Sequence, residues 1–241
     1  MGFIKIWLRL RLDDLRAWVR AAFRRWLRKI FEIVIYDLDL MNSVRDLHSS
    51  LEFEHEHLPL AAGFKDRIPL HRWSLSQLSD DGLFLEFGVY KGDSINRFAG
   101  FKPNVTFYGF DTFSGLPETW TLGAKAGAIN SGGKPSVRDN VRLIEGLFAD
   151  TLPQFLAEHP GEKISFMHID CDIYSSTKTI FDQTKGRLGP GTIIIFDEYF
   201  NYFGWQDQEY KAFMQYVQEE NVAFDYIGYV RTAGQVAVRL R

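Results

Sequence analysis

The chain contains a single cysteine, Cys171, among 241 residues. That excludes an intrachain disulfide and a cysteine-based zinc site, and it fits a reducing compartment. No stretch reaches the roughly 18 to 20 consecutive apolar residues of a spanning helix. Basic charge is scarce outside the first 35 residues: these hold nine Lys or Arg against three acids, which leaves a net charge of −9 for residues 36–241. An acidic body lacks the clustered cations that neutralise a phosphate backbone, so a nucleic-acid surface is not expected there. The Gly-x-Gly-x-x-Gly dinucleotide fingerprint is also missing, as are internal repeats and low-complexity segments.

What the head does contain is a helical repeat of apolar residues (Ile4, Trp7, Leu8, Leu15, Trp18, Val19, Phe23, Trp26, Leu27, Ile30) with Arg16, Arg20, Arg24 and Arg28 following one another four apart. Residues 1–35 therefore read as a basic amphipathic helix with three tryptophans. Charges interrupt it too often for a secretory signal, and Ile6 stands where myristoylation prefers Ser or Thr. Two roles lead for it, lying on a membrane surface or packing on its own domain or a twin subunit, ahead of a transit peptide, against which Asp13, Asp14 and Glu32 count, or a DNA-binding arm. Residues 36–82 read as a helical and loop cap with a short helix over Ile68 to Leu78. Within the cap, Glu52, Glu54, His55, Glu56 and His57 read as a solvated face.

From residue 83 strands and helices alternate. The spacing predicts strands at Leu83–Phe87, Val105–Phe110, Val141–Glu145, Ile164–Ile169, Thr192–Phe196, Phe224–Val230 and Gln235–Leu240, the last two as a hairpin. Helices between the others imply an α/β domain over 83–241 with a mostly parallel seven-stranded sheet, helices on both faces and a C-terminal antiparallel hairpin. The segment Thr112 to Asn140, rich in glycine, is too long for a plain connection and reads as a mobile lid.

Two places carry chemistry. Gly88 and Gly92 form a turn after the first strand, with Asp93 and Ser94 as caps for the next helix, and Asp111 ends the second strand at the spacing of a ribose-binding acid. Val89 and Tyr90 put side chains where a pyrophosphate would need bare backbone. S-adenosylmethionine, with an adenosine and an amino-acid tail but no diphosphate, fits better than a nicotinamide dinucleotide. Asp170 and Asp172 follow the fourth strand, and Asp197 and Glu198 follow the fifth. Asp170, Asp197 and Glu198 could meet around one ion, and carboxylates without cysteine suit Mg²⁺. Asp172 reads as a base or orienter, or as a cap for the helix near Ser175.

Four ordered segments, Glu86–Gly92, Gly109–Pro117, Gly146–Pro153 and Asp170–Thr177, resemble the macrocin O-methyltransferase family. The resemblance covers about residues 83–200. It implies a Rossmann-like class I methyltransferase fold and S-adenosylmethionine-dependent, Mg²⁺-assisted methylation of sugar hydroxyls in a cytoplasmic setting; the basic head, outside the resemblance, extends that expectation to the inner face of a membrane. It implies that Glu86 and Gly88, with Tyr90, Gly92 and Ser94 in the same turn, border the methionine tail, that Asp111 binds ribose, and that Leu147 and Phe148 line adenine. It further implies that Asp170, Asp197 and Glu198 hold the ion. The family's second strand-end aspartate is Glu198 here, and the lid segment has no histidine to serve as base. Catechol-like acceptors, a non-catalytic membrane-attached scaffold and an NAD-dependent oxidoreductase remain as alternatives. A hydroxylated small molecule or glycan is the expected acceptor, and a homo-oligomer is left open.

Overall fold

The computed structural model describes residues 18–33, 36–120 and 123–241, and the chain divides into two units, Met1–Arg45 and Asp46–Arg241. Residues 18–33 are helical; the rest of the expected basic helix, 1–17 and 34–35, lies outside the described residues. Helix α1 (Leu38–His57) begins after Asp37, whose carboxylate accepts from the backbone N–H groups of Asp39 and Leu40 at 3.1 and 3.0 Å. Such a cap satisfies donors that the first helical turn leaves free. In its last turns His55, Glu56 and His57 are exposed, and Glu54 accepts from the Tyr229 hydroxyl at 2.6 Å.

The larger unit is built on a sheet whose strands are β1 (Ala62–Phe64), β2 (Leu83–Phe87), β3 (Phe107–Asp111), β4 (Val141–Glu145), β5 (Ile164–Ile169), β6 (Ile193–Phe196), β7 (Phe224–Val230) and β8 (Val236–Leu240). Their order across the sheet is β1-β7-β8-β6-β5-β2-β3-β4. Only β8 runs against its neighbours, pairing antiparallel with both β6 and β7. The mostly parallel α/β architecture is as expected, but the sheet has eight strands instead of seven. The extra one, β1, comes from the segment read as a helical and loop cap and pairs in parallel with β7. Three residues are too few to display the alternation by which a strand is recognised.

Helices α2 (Arg67–Ser76), α3 (Asp93–Phe101), α4 (Phe148–Glu158), α5 (Tyr174–Thr184) and α6 (Glu209–Glu219) cover both faces of the sheet. Side chains alternate across each strand. Leu85 and Phe87 of β2 and Met167 and Ile169 of β5 pack with Leu152, Phe155, Phe181 and Phe213 of α4, α5 and α6. Phe84, Phe166, Ile193 and Ile195 point the other way, towards Leu70 and Leu75 of α2 and Ile95 and Phe98 of α3. Two covered faces explain why β2 and β6 are apolar nearly throughout.

The segment after β6 is held from the N-terminal side. Within the larger unit, Asp46 Oδ2 accepts from the Gly204 N–H at 2.9 Å, and Ser50 Oγ accepts from the Asn201 N–H at 3.1 Å. Phe53 sits among Tyr199, Phe200, Trp205, Tyr210 and Tyr226, with ring centroids 5.3 to 5.9 Å away. Phe53→Ala should cost about 3 kcal/mol, the lower end for emptying a buried aromatic site. In a thermal melt the midpoint should fall by roughly 6 to 12 °C; an unchanged midpoint would show that this end of α1 does not brace the domain.

Candidate functional site

Four backbone hydrogen bonds continue the sheet one step past its strands, at the carboxyl edge. Asp197 N–H donates to the Ile169 carbonyl (2.9 Å), Asp170 N–H to Phe87 (2.9 Å), Gly88 N–H to Phe110 (2.9 Å) and Gly146 N–H to Asp111 (3.0 Å). They put the residues following β6, β5, β2 and β4 at one level, together with the end of β3 between the last two, where ligands of open α/β sheets bind.

At the centre the two middle strands approach closely. A Cβ built on Gly88 would lie 1.7 Å from the Asp170 carbonyl oxygen, and its φ of +89° is itself one that side chains avoid. The turn after it is fastened by Asp111. Its Oδ2 accepts from the Val89 and Tyr90 N–H groups at 2.8 and 2.7 Å, and its Oδ1 accepts from Phe113 N–H at 2.7 Å. Three of about four acceptor positions are thus occupied, and Oδ1 retains capacity for one more donor.

A pocket of about 320 Å³ opens here. Gly88, Tyr90, Asp111, Leu147 and Phe148 line one side, and Asp170, Cys171, Asp172, Ser176 and Glu198 the other. Of the residues expected at a cofactor, Glu86, Gly92 and Ser94 are not on its wall. Helix α3 is capped by Gly92 in the left-handed conformation with no side-chain cap bond, so Asp93 and Ser94 do not act as the expected acceptors. Ser94 instead donates to Glu86 Oε1 at 2.5 Å. Glu86 is fully buried because it shares the face of β2 that packs on α3.

The segment after β3 forms the pocket roof. Leu116 N–H donates to the Ala128 carbonyl and Gly127 N–H to that of Leu116, each at 2.8 Å, a ladder that folds the segment back on itself. Its end is tied to α3, where Asn96 donates to the Ser136 carbonyl (3.1 Å) and accepts from Arg138 N–H (2.9 Å). Glu118 accepts from Ser175 Oγ at 2.7 Å across the opening. The expected lid is therefore a folded roof with its own hydrogen bonds. From it Leu116, Pro117, Trp120 and Ile129 reach the pocket. The Trp120 indole N–H is buried without an acceptor, and its ring lies 6.2 Å from that of Tyr202.

The strand-end acids group differently from the sequence expectation. Asp170, Asp172 and Glu198 place carboxylate oxygens within 4.8 Å of one another, whereas Asp197 belongs with His71 and His168. Adjacent residues after a strand send their side chains to opposite sides. Asp197 thus turns under the sheet edge, accepting from Gln235 Nε2 at 3.0 Å and facing Arg67 at 3.6 Å and His168 at 3.9 Å. Asp172 takes its place beside Asp170 and Glu198, from a backbone with φ +66°. It does not cap α5, whose N-cap is Ile173.

Burial, then repulsion from Asp197, raises the Asp172 carboxyl to about 6 against a polar contact with Glu198. Asp170 and Glu198 are pushed well above the carboxylate range by burial and by their acidic neighbours. Glu209, buried at the start of α6, is raised for the same reasons; it accepts from the Glu198 N–H at 3.2 Å. Glu198 Oε2 is buried and unpartnered. Crowded carboxylates with an unused oxygen form a donor set that fits a hard divalent cation.

Beneath the pocket lies a buried pair that sequence reasoning did not single out. Burial lowers the His168 pKa, but Glu86, whose Oε1 is 3.7 Å from Nδ1, together with Asp170 and Asp197, turns the net shift upward. His71 is held down to about 2 by burial, then by His168, Arg97 and Arg67. Acids facing His168 favour its protonated form against the cost of burial, and the neighbouring His71 is held neutral. The two histidines are 97 positions apart, and only the fold makes them neighbours. Trp120 was not singled out either; the signal available was an aromatic residue, one of two with Phe113, in the glycine-rich segment Thr112 to Asn140.

Residues 85–199 match a family profile described as "Methyltransferase domain". Over 61 residues the chain is 36% identical to the 8-demethyl-8-(2,3-dimethoxy-alpha-L-rhamnosyl)-tetracenomycin-C 4'-O-methyltransferase of Streptomyces olivaceus. That match spans 25% of this chain and 22% of the relative. Among solved structures, a calicheamicin methyltransferase superposes with a TM-score of 0.57 at 21% identity, covering 84% of this chain and 93% of that one. An apo structure described as the TDP-rhamnose 3'-O-methyltransferase of calicheamicin biosynthesis gives 0.53 at 25%, covering 78% and 86%. The O-methyltransferase NovP gives 0.56 at 19%, covering 72% and 78%. The fold is that of the Rossmann-like methyltransferases.

Gly88→Ala should destabilise the domain by more than about 3 kcal/mol, whereas Gly186→Ala, where a Cβ meets nothing within 4 Å, should change it by less than about 0.5 kcal/mol. Equal urea midpoints for the two would refute the close approach. Asp172 binds its proton more tightly folded than unfolded, so its contribution favours folding below about pH 4 and is lost as pH rises through about 6. In chelator, Asp172→Asn should therefore be the more stable protein near neutral pH, by at most about 3 kcal/mol. The gap should close towards about pH 4; a pH-independent gap would contradict the raised pKa.

Proposed function

We propose that this chain is an S-adenosylmethionine-dependent O-methyltransferase of the macrocin type, acting on a sugar hydroxyl of a glycosylated small molecule or glycan with the help of Mg²⁺. The observation that carries the reading is that one pocket is bounded by the Gly88 turn and Asp111 on one side and by Asp170, Asp172 and Glu198 on the other. Two of the similar proteins are named for methylating a rhamnosyl or TDP-rhamnose hydroxyl, which supports a deoxysugar as acceptor.

In this reading Gly88 lets the methionine tail approach bare backbone, Asp111 Oδ1 takes a ribose hydroxyl, and Leu147 and Phe148 flank the adenine. The cofactor supplies a methyl group already activated by its sulfonium. Asp170, Asp172 and Glu198 offer the oxygens for Mg²⁺, which when bound lowers the pKa of a chelated hydroxyl. Asp197, one residue from Glu198, is held by Gln235 and Arg67 and acts through the field it exerts on Asp170 and Asp172. Of the three, Asp172 is the one proposed to receive the hydroxyl proton, through the oxygen it does not lend to the ion. Trp120 faces the acceptor, where an indole plane packs against the apolar side of a sugar ring and its free N–H meets a hydroxyl. The roof keeps water out and holds the acceptor oxygen in line, an alignment that can contribute several kcal/mol.

Calorimetry should show S-adenosylmethionine binding and no NAD binding; the reverse would replace the methyltransferase with an oxidoreductase. With a deuterated methyl donor and a panel of deoxysugar glycosides, Asp170→Asn should lose about 100-fold or more in turnover, as expected for removing a charge-stabilising group. Its cofactor affinity should stay nearly unchanged. Trp120→Ala should raise the acceptor KM about tenfold with little change in cofactor affinity. Full turnover in excess chelator would remove Mg²⁺ from the mechanism.

A further inference from the structure

Residues 18–33 form an amphipathic helix. At 3.6 residues per turn, Trp18, Phe23, Trp26, Leu27, Ile30 and Ile33 fall within one half of the circumference. All six are exposed, Trp18 at 64%, Phe23 at 56% and Trp26 at 55%. Arg20, Arg24 and Arg28 lie on the opposite half. Counting Arg25 and Lys29 against Glu32, the sixteen residues carry a net charge of +4.

We propose that this helix is a docking face for an anionic lipid bilayer, lying in the plane of the surface with its tryptophans at headgroup depth. The occupant must be apolar on one side and negatively charged around it. A second copy of the same face would cover the apolar half but leave Arg20, Arg24 and Arg28, on the opposite half, without a counter-charge. An anionic lipid surface satisfies both demands: acyl chains take the aromatic half, lipid phosphates take the guanidinium groups, and the arginine stems reach along the helix flank to do so. Among the described residues no helix is long and apolar enough to cross a membrane. This inference is independent of the proposed methyl transfer.

Flotation of the full chain tests it, with vesicles of phosphatidylcholine alone and with added phosphatidylglycerol. The wild-type chain should partition about tenfold or more in favour of the anionic vesicles and be displaced by high salt, since each cation near such a surface contributes roughly fivefold. Phe23→Glu with Trp26→Glu, and separately Arg20→Glu with Arg24→Glu and Arg28→Glu, should each lose about tenfold or more of that binding. Both variants should keep the wild-type thermal midpoint, showing that the domain still folds. The proposal is overturned if wild type does not float, or if the aromatic double variant floats equally well. It is also overturned if sedimentation shows a lipid-free oligomer that this variant dissociates while wild type ignores vesicles.

Discussion

The contact on which the rest of the site depends is the approach of Gly88 to the carbonyl of Asp170. No other residue type fits there, since a Cβ would stand 1.7 Å from that oxygen. The approach lets the turn after β2 close against the end of β5. It thereby makes a single pocket out of two features that come 82 residues apart in the chain. Asp111 secures the same closure from the other side by gathering the N–H groups of Val89, Tyr90 and Phe113. A carboxylate that sequence alone would assign wholly to a ligand is a fastener of the turn.

Below that turn the protein tolerates a concentration of buried charge. Glu86, His168 and Asp197 form a line under the sheet edge, with Ser94, Gln235 and Arg67 attached to its members. Above it, Asp170, Asp172 and Glu198 repel one another inside the pocket, and Glu209 adds to the strain while holding the Glu198 backbone. Such an arrangement is costly in the absence of a counter-charge. Proteins retain costs of this kind where a cation or a proton is to be handled.

The segment after β6 carries Glu198, Tyr202 and Glu209, and its placement rests on the last turns of α1. Asp46 and Ser50 take up its backbone N–H groups and Phe53 fills the aromatic cage behind it. An N-terminal helix thus belongs to the structural support of the site, although none of its residues lines the pocket.

The order of strands and helices was legible in the sequence because the strands from β2 to β8 are short, mostly apolar segments separated by turn residues or helical stretches. The ends of β4, β5 and β7 fall where the pattern places them. That the acids after β5 and β6 gather at one edge was legible because a parallel sheet must bring neighbouring strand ends together. Only the tertiary structure decided which acids share a pocket. Asp197 and Glu198 diverge from adjacent positions, and Asp172 enters because its backbone turns into the left-handed region. Local pattern carries the period of a strand. The direction of a side chain beyond the strand's last hydrogen bond depends on what packs against it, here Arg67, Gln235 and His168 arriving from three distant parts of the chain.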